Sequence, residues 1–225
     1  MRVIVVRHHE EDDAGFIGEA FEGLGATLTV HRFPADGALP DPAGTDHIVL
    51  LGATWSVYDT DPARAWIAAE LDWLRQADAA GVPVLGICFG AQALAAAFGG
   101  EVKPGARKEV GWTTVHTLDP EVIEPGPWLE FHGDQCHLPP QARLLASNEL
   151  CVQAFAIGRH LAVQFHPEVD REQLRAWLDA GARADAEKAG QDPERFLAET
   201  LAQEPAARAR ADRLVQSAIR LAGAS

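Results

Sequence analysis

The chain is predicted to be an α/β protein: a mostly parallel central sheet with helices on both faces and a small antiparallel extension. Three observations carry this. Short β-branched runs alternate with helical periodicity through residues 1–100, the pattern of parallel strands joined by crossover helices. Residues 101–165 change to short strand-like runs separated by Pro and Gly turns. From Asp170 onward Ala, Glu, Arg and Leu dominate, a composition that favours helix.

Residues 3–6 form an uninterrupted apolar run, as in a strand buried on both faces. After a polar turn over residues 7–13, Phe16, Ile17, Ala20, Phe21 and Leu24 recur at helical spacing, and Gly25 ends that helix. Residues 26–30 read as a second strand, 34–44 as a Pro/Gly/Asp-rich loop and 47–51 as a third strand. Asp61-Pro62 opens a helix, with Asp as the cap and Pro in the first turn; Trp66, Leu71, Trp73 and Leu74 supply its apolar positions. Residues 82–87 make a fourth buried strand, followed at once by an Ala-rich helix over 91–98 and the stop Gly99-Gly100.

Further strands are expected at 112–117, 129–132, 151–157 and 161–164, the last two joined by Gly158-Arg159-His160. The helical tail is expected to break near Gly190-Gln191-Asp192-Pro193 and again at Pro205. With no repeat and no long linker, residues 1–225 are expected to form one domain, with a helical extension over about 170–225.

The composition narrows the function class. At 47% hydrophobic residues the chain can bury a full core. A net charge of −14 argues against a nucleic-acid partner or an anionic membrane surface, since both would repel it. Cys88, Cys136 and Cys151 are too few and too scattered for a disulfide framework or a zinc-ligand array. The N-terminal apolar run is too short for a signal peptide, and no segment approaches the roughly 20 apolar residues of a spanning helix. A soluble, cytoplasmic protein with reduced thiols is the expectation.

Two motifs carry chemistry. Gly86-Ile87-Cys88-Phe89-Gly90-Ala91-Gln92 joins a buried strand directly to a helix, in the form of a nucleophile elbow with cysteine in place of serine. The flanking glycines let strand and helix approach closely, and the helix N-terminus favours thiolate over thiol. Gln164-Phe165-His166-Pro167-Glu168 ends the last expected strand. A thiol nucleophile needs a base, and the base needs a group to orient it. His166 and Glu168 stand two apart, so in an extended segment both side chains leave on one side, with Pro167 holding the backbone between them.

At these two motifs the chain resembles the class I glutamine amidotransferases, cysteine-triad enzymes with a flavodoxin-like fold. More narrowly it is similar to the free-standing branch related to the glutaminase domain of GMP synthetase. The resemblance covers roughly residues 1–170. It implies Cys88 as nucleophile, His166 as base and Glu168 as orienter. Leu51-Gly52-Ala53-Thr54-Trp55-Ser56 stands where the family has its oxyanion loop, with Leu51 in place of the usual first glycine. The implied oxyanion donors are the backbone N–H groups of Gly52 and Phe89. Phe131-His132-Gly133-Asp134 resembles the family's Trp-His-x-Asp stretch, and Gln153-Ala154-Phe155 its substrate-side strand. Gln92, His132, Gln153 and Phe155 are the implied substrate-binding residues, and Lys108-Glu109-Val110-Gly111-Trp112 resembles the entry to the antiparallel extension.

The implied reaction is hydrolysis of the γ-amide of glutamine or a γ-glutamyl compound through a thioester, requiring no metal and no organic cofactor. One alternative is a glutaminase subunit that supplies ammonia to a separate synthetase partner. Another, of a different class, is a thiol sensor or binding protein using Cys88 without hydrolysis; a sensor would need no oriented base. His8 and His9 read more readily as turn residues than as catalytic ones, and His132 fits a pocket wall or a strand cap equally. Cys136 and Cys151 read as inert. His132-x-Asp134-x-Cys136-His137 has metal-like spacing, but no second ligand cluster accompanies it.

Overall fold

The computed structural model describes residues 1–223; residues 224 and 225, the end of the expected domain range, lie outside the described residues. Five strands form the parallel core: β1 (Arg2–Arg7), β2 (Thr27–Arg32), β3 (His47–Leu50), β4 (Val84–Ile87) and β10 (His160–Val163). They lie in the order β2-β1-β3-β4-β10, and the sheet continues with the antiparallel strands β9 (Val152–Ile157), β8 (Arg143–Ser147) and β6 (His116–Thr117). A separate antiparallel ribbon pairs β5 (Glu101–Thr114) with β7 (Pro127–His137).

The sheet is covered on both faces, and the period-two alternation of its strands divides the core. Val3 and Val5 of β1 face α1 (Gly15–Gly23) and α6 (Pro193–Gly223), where Phe16, Ile17, Phe21, Leu214 and Val215 are buried. Ile4 and Val6 face α2 (Trp66–Ala79) and α3 (Phe89–Ala97), against Leu74, Phe89 and Leu94. Each fully buried side chain of this size contributes about 1.5–3 kcal/mol. A third apolar cluster joins Leu129 of β7 to α4 (Arg171–Trp177), α5 (Arg183–Lys188) and the start of α6. Among the described residues, no helix is long and apolar enough to cross a membrane.

The helix stops fall where the sequence puts them. Gly25 has φ 80° and Ala26 N–H reaches back to the Phe21 carbonyl; Gly99 has φ 90° and Gly100 N–H reaches back to Ala95. The helical tail does restart at Pro193, capped by Asp192, whose Oδ1 accepts from Arg195 N–H at 2.8 Å.

Three expectations need correction. α6 runs unbroken through Pro205. Leu201, whose carbonyl the proline leaves without its helical donor, is exposed, as is Pro205, so water can take the missing bond. The strand expected at 112–117 begins instead at Glu101 and is followed by a separate β6. A register shift between Pro104 and Glu109 absorbs the Pro104-Gly105 pair while β7 pairs on either side. The strand expected at 129–132 accordingly runs the full length of β7, and β8 was not foreseen at all.

Candidate active site

The site is built at the carboxyl ends of β1, β3, β4 and β10, where open α/β sheets place their ligands. Cys88 sits between β4 and α3 with φ 52° and ψ −105°, and is the only non-glycine residue with positive φ among those described. The turn is tight enough to exclude side chains on either side. A Cβ at Gly86 would lie 2.5 Å from the Gly90 carbonyl oxygen, and one at Gly90 would collide with the Leu50 carbonyl. Cys88 N–H donates to Val163 O at 2.9 Å, which ties the elbow to β10.

The segment leaving β10 is pinned residue by residue. Gln164 N–H donates to Gln153 O at 2.8 Å and His166 N–H donates to Leu129 O at 2.8 Å. Phe165 turns inward to stack on Trp128. The backbone bends on either side of His166 and brings it together with Glu168, His166 Nδ1 lying 2.7 Å from Glu168 Oε1, both side chains buried. The Cys88 side chain lies close enough to the His166 ring to act on its charge, while Nε2 of that ring is buried without a hydrogen-bond partner. Burial opposes charge on His166, but the Glu168 carboxylate and Cys88 outweigh it and hold its pKa well above the ordinary histidine value. The Glu168 backbone is clasped in turn by α1, whose Phe16 N–H donates to Glu168 O at 3.0 Å.

Two lobes of one cleft meet at Cys88. The smaller, of about 260 Å³, is lined by Gln92, His132 and Asp134 among others. The larger, of about 510 Å³, is lined by Gly52, His166, Trp177, Glu11 and Asp12. An exposed ion pair, Lys108 Nζ to Asp185 Oδ2 at 2.7 Å, spans from the β5 bulge to α5 beside both lobes. Gly52 borders both Cys88 and His166: a Cβ there would lie 3.2 Å from His166 Cε1 and 3.7 Å from Cys88 Cβ. Phe89 is the first residue of α3, so its N–H lies in the turn directly after Cys88.

Among the expected substrate-binding residues, Gln92 and His132 line the smaller lobe, whereas Gln153 and Phe155 line neither. Gln153 turns away to donate to Glu109 Oε2 at 3.3 Å, and Phe155 belongs to the core beneath α2 and α3. His132 does more than face a pocket. Its Nδ1 is 2.9 Å from Asp134 O, and its Nε2 lies 3.3 Å from Glu109 and 3.2 Å from Glu130. Burial opposes its charge, but the two carboxylates raise its pKa to about 10. Glu109, His132 and Cys151 bring ligand atoms within 4.8 Å of one another, as a metal site would. Here the charged imidazole already supplies the positive centre for the carboxylates. Burial pushes the thiols of Cys136 and Cys151 upward, in keeping with unreactive side chains.

Sequence reasoning missed Trp177, Asp12 and Glu70. Trp177 packs edge-on against the His166 ring at 4.9 Å and donates from Nε1 to Asp12 Oδ1 at 3.2 Å. Glu70 is fully buried on the inner face of α2, beside Ile67 and Leu74. Its position three residues after Ile67 and four before Leu74, on an apolar face, was the available signal.

The class I glutamine amidotransferase family model matches residues 16–179, and the chain belongs to that family. It is 35% identical over 146 residues to the glutamine-hydrolysing GMP synthase of Neisseria meningitidis serogroup B, covering 59% of this chain and 26% of that protein. It is 34% identical over 184 residues to the corresponding enzyme of Paraburkholderia phytofirmans, covering 70% of this chain and 33% of that protein. The chain thus spans about a quarter to a third of these curated relatives. Among solved structures, a glutamine amidotransferase from Thermotoga maritima superposes with a TM-score of 0.87 at 25% identity, covering 97% of this chain and 98% of that one. A glutamine amidotransferase from Methylobacillus flagellatus has the same fold, with a TM-score of 0.87 at 24% identity over 98% of this chain and 94% of that one.

Proposed function

We propose that the chain hydrolyses the γ-amide of glutamine or of a γ-glutamyl amide through a thioester on Cys88. The observation that carries the reading is the strained elbow that sets Cys88 against the buried His166–Glu168 pair. The thiolate adds to the γ-carbonyl carbon, and the N–H groups of Gly52 and Phe89 receive the charge on oxygen. Collapse of the tetrahedral intermediate breaks the C–N bond as His166 gives its proton to the leaving nitrogen. Water then adds to the thioester, losing a proton to His166, and glutamate leaves as the thiol reforms. Gln92 and His132, in the smaller lobe, are assigned to the glutamyl end. The larger lobe is assigned to the leaving amine, and its size favours substrates beyond glutamine itself.

A second reading has a specific observation behind it. The curated relatives are GMP synthases several times the aligned length, so the chain could serve as a glutaminase subunit feeding ammonia to a separate synthetase. Glutamate release from glutamine and from a γ-glutamyl anilide, with Cys88→Ala as control, separates the two. Cysteine-dependent release by the isolated chain supports the autonomous hydrolase. Release from glutamine only once a synthetase is added supports the subunit. No release under either condition overturns the hydrolytic assignment.

A further inference from the structure

His8 and Glu70 lie outside the proposed triad, yet they form a buried pair whose far end is the Gly52 loop. His8 follows β1, Glu70 is on α2, and both side chains are inaccessible to solvent. His8 Nε2 is 3.1 Å from Glu70 Oε1 and 3.3 Å from Oε2, while Nδ1 is 2.9 Å from the Gly52 carbonyl oxygen. The Gly52 carbonyl can only accept, so Nδ1 donates to it; with Glu70 ionised, Nε2 donates as well and the ring is an imidazolium. Burial opposes that charge, but the Glu70 carboxylate holds the pKa above the ordinary value.

The ring is also fixed in orientation. It stacks on Trp66 at 5.3 Å and meets Phe89 edge-on at 5.0 Å. A turn histidine at a strand end needs neither a buried carboxylate nor an aromatic nest. A charged donor held rigidly behind one peptide of the oxyanion loop has a geometric consequence, because it fixes the plane of the Gly52–Ala53 peptide. Leu51 N–H, donating to Val6 O at 3.0 Å, anchors the other side of the same loop.

We propose that His8, oriented and charged by Glu70, is a positioning residue that holds the Gly52 loop in its oxyanion-binding conformation. This rests on the hydrolase reading given above. The test pairs two variants with two reactions of the same sulfur. Alkylation of Cys88 by iodoacetamide displaces iodide and needs no oxyanion site, whereas hydrolysis and capture of a γ-glutamyl aldehyde both place a negative or hydroxyl oxygen there. Glu70→Gln keeps the shape but leaves the ring uncharged. The double variant His8→Phe with Glu70→Leu keeps the aromatic packing and removes both polar groups, avoiding a buried unpaired carboxylate.

The double variant is expected to lose about 10- to 100-fold in kcat and in aldehyde affinity, with KM within about threefold and the alkylation rate unchanged. Glu70→Gln is expected to fall in between. Unchanged hydrolysis in the double variant overturns the inference. Parallel loss of alkylation and hydrolysis also overturns it, showing that the pair merely supports the fold. A wild-type chain that is alkylated at Cys88 yet neither hydrolyses amides nor captures the aldehyde overturns the hydrolase reading, and this inference with it.

Discussion

Replacing Glu168 by Gln isolates the electrostatic part of the proposed triad. The substitution keeps the shape beside His166 and removes the charge 2.7 Å from Nδ1. With both charges spread over their groups, their centres lie about 4 Å apart, worth about 4 kcal/mol at an effective dielectric near 20. At about 1.4 kcal/mol per decade that is close to a thousandfold in the imidazolium population. The glutamine amide dipole recovers part of this if its oxygen accepts from Nδ1. If the amide rotates and donates instead, it locks the tautomer that cannot take a proton at Nε2. The expected loss in kcat is therefore about 10²- to 10³-fold. KM should hold, since Glu168 lines neither lobe of the cleft. The raised pKa of His166 adds a sign: without the carboxylate the imidazolium is lost at lower pH, so the alkaline limb of the rate profile moves down. Initial rates of glutamate release across pH measure both quantities. A variant within about fivefold of wild-type kcat, with an unmoved alkaline limb, would show that Glu168 does not act through charge.

Other expectations concern the scaffold. At φ 52°, Cys88→Gly relieves strain that Cys88→Ala retains, so the Gly variant should be more stable by about 1 kcal/mol despite its looser unfolded chain; a lower melting temperature for Gly than for Ala contradicts this. Gly90→Ala drives a methyl into the Leu50 carbonyl with backbone on both sides, and should cost about 3 kcal/mol in urea unfolding together with activity. His132 has a folded pKa of about 10 against 6.5 ordinarily, so its stabilisation is complete below pH 6.5 and is lost as pH rises through about 10. The urea midpoint should fall across that window, and His132→Asn should flatten the fall; an equal slope in the variant removes His132 as its source.

What could be read from the sequence was what local chemistry determines. Gly86 and Gly90 around Cys88 announce a sharp strand-to-helix turn because no other residue fits there, and the spacing of His166 and Glu168 announces that their side chains meet, although the segment bends where an extended one was expected. Parallel strands such as residues 3–6 are legible because burial on both faces leaves nothing polar in them. The rest depended on partners distant in the chain. Glu70 stands on the apolar face of its helix, but what it does there depends on a partner 62 residues away. The β5–β7 ribbon crosses Pro104 because a bulge accommodates it, and no local rule anticipates that. Pro205 was a sound breaker by propensity, overridden because its helix buries Ala207, Ala211, Leu214 and Val215 beyond the proline. Gln153 and Phe155 were assigned by position in a motif, and their side chains line neither lobe of the cleft.

The meeting of two lobes at a single sulfur has a kinetic consequence. If the glutamyl group fills the smaller lobe, as proposed, the departing amine and the arriving water share the larger one. Departure and attack are then consecutive events in one compartment. An amine present at high concentration competes with water for the acyl group and returns a new γ-glutamyl amide instead of glutamate. On the chemistry proposed for Cys88, the partition between hydrolysis and transfer is set by the occupancy of that lobe, with no change in the triad.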